Sequence, residues 1–252
     1  MRARTCLFAA VLTAASVGAV SGCGAVTASS AAQRTAAVSH DAPAATPSAR
    51  AAALSLPARL PGVGPRTLAE VPADASQVVE VTGDGRNSPT AAVVLYQRTA
   101  AGWKAGATWQ AHNALHGWSA HHTQDDLRSP IGVFGLTDAG GRLPDPGTKL
   151  PYDQSASAFA ESGTGFNGES LATAFDYVVA INYNRKPGTS PLDWTRPMGA
   201  SRGGGIWFHV DHGGPTHGCV SISRAHMKDL LRTLDPADHP VVVMGDAASL
   251  AR

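Results

Sequence analysis

The sequence has 252 residues, a formal net charge of +1 and only 15% charged residues. So balanced a chain carries no basic stripe of the kind that grips nucleic acid, and no such partner is expected. With 43% hydrophobic residues it can fill a core, while 27 glycines and 17 prolines favour a loop-rich β domain over a helical bundle.

The chain opens with MRARTCLFAAVLTAASVGAVSGC, which sets Arg2 and Arg4 ahead of an apolar run from Leu7 to Val20. That is the layout of an export signal, expected over residues 1–22, and the run is too short to span a bilayer. Its end, Val20-Ser21-Gly22-Cys23, resembles the processing site of bacterial lipoproteins, where cleavage leaves the cysteine first and lipidated. Lipidation at Cys23 implies a membrane partner through the lipid anchor and a location on the outer face of the cytoplasmic membrane. An ordinary signal cut nearby is the alternative. From 23 to 59 the sequence is Ala-, Ser-, Thr- and Pro-rich without an aromatic residue, and it reads as a disordered tether. Such a tether has a root-mean-square reach of about 30–35 Å.

Residues 60–252 suffice for one domain with a real core. Strands are expected in QVVEVTG from Gln77, TAAVVLYQR from Thr90, IGVFGLT from Ile131, DYVVAINY from Asp176, GIWFHV from Gly205 and PVVVMGD from Pro240. A helix is expected after Ser223, a suitable N-cap, with Met227, Leu230, Leu231 and Leu234 at helical spacing and Asp235-Pro236 as its stop. A weaker helix is expected around Gln154 to Ala160.

Once Cys6 leaves with the signal and Cys23 is lipidated, Cys219 in THGCVSIS is the single thiol of the mature chain, and no intramolecular disulfide can form. In GIWFHV, period-two alternation sends Ile206, Phe208 and Val210 to one face and Trp207, His209 and Asp211 to the other. Gly213, Gly214 and Pro215 then permit a tight reversal that would bring Cys219 back beside His209. Only the thiolate attacks a carbonyl, so an imidazolium at His209 would activate the thiol by lowering its pKa. The Cys219 N–H could help to bind a developing oxyanion. Three other readings compete. Cys219 can be a buried inert thiol. With His209, His212 and His217 it can ligate zinc, although no familiar ligand spacing is present. Gly199-Ala200-Ser201-Arg202-Gly203 matches G-x-S-x-G, but the strand that must precede a nucleophile elbow is missing. His212 is expected to be mobile in its glycine loop, and the histidines of AHNALHGWSAHHTQDD to be solvated. Trp118, Tyr152 and Trp194 either line a groove or join the core.

FHV…PTHGCVSI resembles the catalytic signature of the L,D-transpeptidases of bacterial cell walls, the YkuD-type domains, and RSPIGVFGL from Arg128 resembles their Thr-Pro-x-Gly-x-Phe segment. The resemblance implies a mainly β, YkuD-like β-sandwich catalytic domain with a few short helices. It implies Cys219 as nucleophile, His209 as base, and Thr216, His217 and Gly218 as the supporting turn. The implied partners are peptidoglycan stem peptides, and no cofactor or metal is implied. The implied reaction is acyl transfer through a thioester, with a cross-link as product, or an L,D-carboxypeptidase reaction if water is the acceptor. A non-catalytic wall-binding lipoprotein is the remaining alternative. Many relatives carry Arg two places after the cysteine. Here Ser221 stands there, so substrate binding would fall to Thr216, Ser221 and Arg224. The spacing from His209 to Cys219, ten positions, is short.

Overall fold

The computed structural model describes residues 56–252. The expected signal, Cys23 and most of the expected tether lie outside the described residues. Among the described residues the first element is α1 (Pro65–Glu70), followed by β1 (Gln77–Gly83), β2 (Thr90–Thr99) and β3 (Gly102–His112). Four short strands come next: β4 (Trp118–Ser119), β5 (Ser129–Pro130), β6 (Gly132–Gly135) and β7 (Asp138–Gly141). Then come β8 (Tyr152–Gln154), β9 (Val178–Ala180), β10 (Trp207–Val210), β11 (Val220–Ile222), α2 (Arg224–Thr233), β12 (Val241–Asp246) and α3 (Ala247–Leu250). The fold is mainly β with few short helices, as the resemblance implies.

Ten strands join in one sheet of order β6-β12-β1-β2-β3-β11-β10-β9-β7-β8, and β4 pairs with β5 separately. β1 and β12 run parallel, and their valine-rich sequences suit burial on both faces. On one face Val78, Val241 and Val243 pack with Leu60, Tyr96, Trp103 and Leu250. On the other, Val79, Val81, Val242 and Met244 share the main core with Phe208, Val210, Val220 and Ile222. Strands distant in the sheet order therefore meet in one core, so the sheet curls on itself, and α2 fills the interior.

The helix after Ser223 forms as expected: the Ser223 hydroxyl accepts from the His226 N–H at 3.2 Å, and Met227, Leu230, Leu231 and Leu234 are fully buried. Each of these side chains contributes about 1.5–3 kcal/mol of hydrophobic stabilisation. Gln77 closes the other end, its amide donating to the Thr233 carbonyl and its oxygen accepting from the Asp235 N–H, both at 2.8 Å.

Three local expectations change. β3 is an eleven-residue strand where none was expected; between Trp103 and Trp109 its residues are exposed Lys, Ala, Gly and Thr, too poor in β-branched and aromatic side chains to signal a strand. Gln154 to Ala160 contains a turn rather than a helix, closed by Phe159 N–H on the Ser155 carbonyl at 3.2 Å. The strand expected from Asp176 shrinks to Val178–Ala180; beyond it Asn184 turns left-handed at φ 44°, and its side-chain amide donates to the carbonyls of Gly199 and Gly203.

Candidate active site

β10 and β11 lie side by side and parallel, with Phe208 opposite Val220, His209 opposite Ser221 and Val210 opposite Ile222. The glycine-rich connection after His209 therefore carries the chain back to the starting end of β10, where β11 begins between β10 and β3, rather than reversing it as a hairpin. The consequence for the site is the one expected by another route. Ile206, Phe208 and Val210 enter the core, and Trp207, His209, Cys219 and Ser221 share the opposite face by the parallel register. The Trp207 N–H points at the Cys219 sulfur at 3.4 Å, and the thiol donates to the Gly205 carbonyl at 3.5 Å.

The turn before the cysteine is fixed from several sides. Thr216, buried, donates its hydroxyl to the Cys219 carbonyl at 2.7 Å, and Ser129 donates to the same oxygen at 3.3 Å. Thr216 thus holds the backbone of the turn. Gly218 lies close against β10: a Cβ there would come within 2.9 Å of Ile206 Cδ1. His217 is exposed and packs on Phe166, ring centroids 4.6 Å apart.

His209 is buried and hydrogen-bonded through Nδ1 to the Val210 carbonyl at 3.0 Å. A carbonyl can only accept, so Nδ1 carries the proton and Nε2 is the free base. Burial lowers the His209 pKa to about 4, outweighing that hydrogen bond. Burial likewise pushes the Cys219 thiol up to about 11, against the opposing Trp207 N–H. Both shifts favour the neutral thiol and the neutral imidazole near pH 7, the opposite direction from the thiolate–imidazolium pair expected from the sequence. His212 is not a mobile loop residue. Its ring stacks on His209 at 5.6 Å and 8°, and Glu169 holds its Nδ1 at 3.0 Å. Phe175 stands edge-on to both Trp207 and His209, at 5.1 and 5.4 Å.

Ser221 and Arg224 are not placed to touch a substrate. Ser221 is fully buried and donates to Asp211 Oδ1 at 2.9 Å, which His112 Nδ1 also approaches at 2.8 Å. Burial alone would raise the Asp211 carboxyl; the hydrogen bonds from His112 and Ser221 outweigh it and hold it below its ordinary value. Arg224, together with Arg142, pairs with the buried Asp176 carboxylate. Trp118 is a core residue with no exposure, and Tyr152 donates its hydroxyl to the Leu143 carbonyl at 2.9 Å, away from the cysteine. Trp194, 79% exposed, does border the site. His122, expected in solvent, is buried beside Cys219; nothing in its local sequence marked it. Ser201 lies in a short 3-10 turn with no strand before it.

Three cavities meet at Cys219, which keeps intermediate exposure. One of about 100 Å³ is bordered by His122, His217 and Gly218. A second, about 220 Å³, is bordered by His209, His212 and Phe175. The third, about 370 Å³, runs along Trp207, Trp194, Arg196 and Glu161. Arg196 lies over the Trp194 ring at 4.7 Å, and among the described residues the buried Trp207 Nε1–H has no hydrogen-bond partner. No group of three or more His, Cys, Asp or Glu disposed to hold a metal occurs among the described residues.

The model of the L,D-transpeptidase catalytic domain, YkuD, matches residues 93–243. No curated protein matches the sequence. Among solved structures, the chain is similar to that of Bdellovibrio bacteriovorus Bd1075, with 15% identity and a TM-score of 0.40. That match covers 68% of this chain and 48% of the other, so this chain spans about half that relative's length. The family match extends from β2 to β12 and takes in both His209 and Cys219. By that match the chain belongs to the L,D-transpeptidase catalytic domain family.

Proposed function

We propose that this protein is a cysteine-dependent L,D-transpeptidase that acts on peptidoglycan stem peptides through a thioester on Cys219. The observation that carries the reading is a cysteine of intermediate exposure where three cavities meet, bordering one of them together with a neutral histidine whose Nε2 is free. His209 Nε2 takes the thiol proton as Sγ attacks the carbonyl of the third stem residue. Transfer in step with attack suits two groups that are both neutral at rest. The C–N bond to the terminal D-alanine breaks, and the imidazolium returns its proton to the departing amine. An amine of a neighbouring stem then takes the acyl group and frees the thiol.

The largest cavity is suited to the peptide: Arg196 offers a cation for a carboxylate, Trp194 an exposed flat surface, and Trp207 Nε1–H an unpaired donor. Incubation of the full chain with a synthetic stem tetrapeptide ending in D-alanine should add the mass of the acyl group to the wild type and nothing to Cys219→Ser. Near-normal turnover by Cys219→Ser overturns the assignment.

Lipidation at Cys23 would hold the domain at the outer face of the cytoplasmic membrane, facing the wall, with residues 23–59 as tether. Cys23→Ala should then appear in the soluble fraction, and sedimentation with membranes would refute the anchor.

A further inference from the structure

We propose that His122, paired with Asp126, is a second catalytic base, which deprotonates the nucleophile of the second half-reaction from a different cavity beside Cys219 than the one that holds His209. The inference rests on the thioester reading above. The smallest of the three cavities, about 100 Å³, has His122 on one wall and His217, Gly218 and Cys219 on another. It shares Cys219, His217 and Gly205 with the cavity that holds His209. Cys219 thus borders two cavities, each lined by a buried imidazole.

His122 is built as a base. Its Nδ1 lies 2.8 Å from Asp126 Oδ1, so Nδ1 carries the proton and Nε2 is left to accept one. The Asp126 carboxylate is itself fixed, accepting from the N–H groups of Thr123 at 3.0 Å and Arg128 at 2.9 Å. Tyr183 donates its hydroxyl to the His122 carbonyl at 3.1 Å and sets its ring edge-on to the imidazole at 5.2 Å. Burial lowers the pKa of His122, outweighing Asp126, which keeps the ring neutral near pH 7.

Two features exceed what a loop staple needs. Gly203 packs so closely on the ring that a Cβ there would stand 2.8 Å from His122 Nε2. Asp125 and Leu127, which flank Asp126 and border the cavity, hold left-handed backbones at φ 63° and 55°. Such strain in non-glycine residues concentrates at functional sites. The cavity has room for about three waters at roughly 30 Å³ each, or for the end of an acceptor's aminoalkyl chain.

In the second half-reaction the oxygen or nitrogen of that nucleophile bonds to the thioester carbon, and its proton passes to His122 Nε2. The C–S bond breaks. The proton on His122 then returns to Sγ across the cavity both border, so the neutral thiol and both neutral imidazoles are restored.

The test separates the two halves of the cycle by rapid-quench intact-mass spectrometry of the full chain with a synthetic stem tetrapeptide, with and without a second stem peptide as amine acceptor. In His122→Gln, decay of the acyl-enzyme should slow by about 10²-fold or more, with acylation falling far less, so the adduct accumulates. Loss in the acceptor-free arm alone assigns water as the nucleophile, and loss in both arms assigns either. Asp126→Asn keeps one oxygen, enough for the Arg128 N–H and His122 Nδ1 but not for the Thr123 N–H, and loses the negative charge; it should show a smaller loss in the same step, and it carries the comparison if His122→Gln is unstable. Decay at the wild-type rate in these variants, or acylation reduced as far as decay, overturns the proposal. If the wild type forms no acyl-enzyme, the thioester reading fails and this inference falls with it.

Discussion

Two buried polar regions of this molecule handle charge in opposite ways. Around Cys219, burial keeps both the thiol and His209 neutral, and their partners are backbone groups: the Trp207 N–H and the Val210 and Gly205 carbonyls. On and beside β7 and β9, buried carboxylates stay paired with arginines. Asp138 meets Arg185 at 2.8 Å with both side chains almost wholly buried, and Asp176 pairs with Arg142 and Arg224. The contrast teaches that paired charge serves the frame while burial favours the neutral forms of the groups at the candidate site. A buried pair of opposite charges is costly to break and holds its geometry; a neutral pair moves its proton only when the attack stabilises the result.

The sharpest way to break the comparison is His209→Ala. Acylation by a stem peptide should fall by about 10²-fold or more, the usual loss for a catalytic base. Iodoacetamide alkylation reads the resting thiol directly: in the wild type it should be slow at pH 7 and accelerate as pH rises toward about 11, and His209→Ala should leave that profile in place because no imidazolium is lost. Alkylation of the wild type that persists below pH 7 would restore the ion pair and erase the contrast.

On the frame side, Arg185→Met leaves Asp138 buried without its cation. Urea unfolding should show a loss of about 3–5 kcal/mol, while the folded fraction still forms adduct at Cys219. A variant of wild-type stability would mean that the pair contributes nothing to the frame.

Glu80 belongs to neither class and gives the smallest effect. It is a buried carboxyl whose Oε1 accepts from Thr82 at 3.0 Å and whose Oε2 has no partner among the described residues. Burial raises its pKa above 4.5, more than the Thr82 hydrogen bond lowers it. The folded state therefore binds the proton more tightly than the unfolded chain, so stability falls as pH climbs from about 4.5 to the raised value and stays lower above it. Glu80→Gln should remove that slope and stabilise the protein at neutral pH. Denaturant melts at pH 4 and pH 7.5 check both signs; equal slopes for variant and wild type would count against it.

Much of the frame was legible in local pattern. The period-two alternation of GIWFHV separated Phe208 from His209, the valine runs marked β1 and β12, and Ser223 with four apolar residues at helical spacing marked α2. Cys219 stood out because it is the one thiol beyond Cys23. β3 escaped because its exposed residues lack the side chains that signal a strand, and only its pairing with β2 and β11 holds it extended.

What the sequence determined, then, was the candidate nucleophile and the elements that carry it, since periodicity and residue chemistry are properties of neighbours along the chain. Tertiary structure decided which groups surround it and how they ionise. His212 became a partner of His209 through Glu169, 43 positions away. Ser221 became a buried link to Asp211, which also holds His112, 99 positions distant. Loss of water around His209 and Cys219 made both neutral, and desolvation is set by every segment packed against a group, a sum that no local stretch of sequence contains.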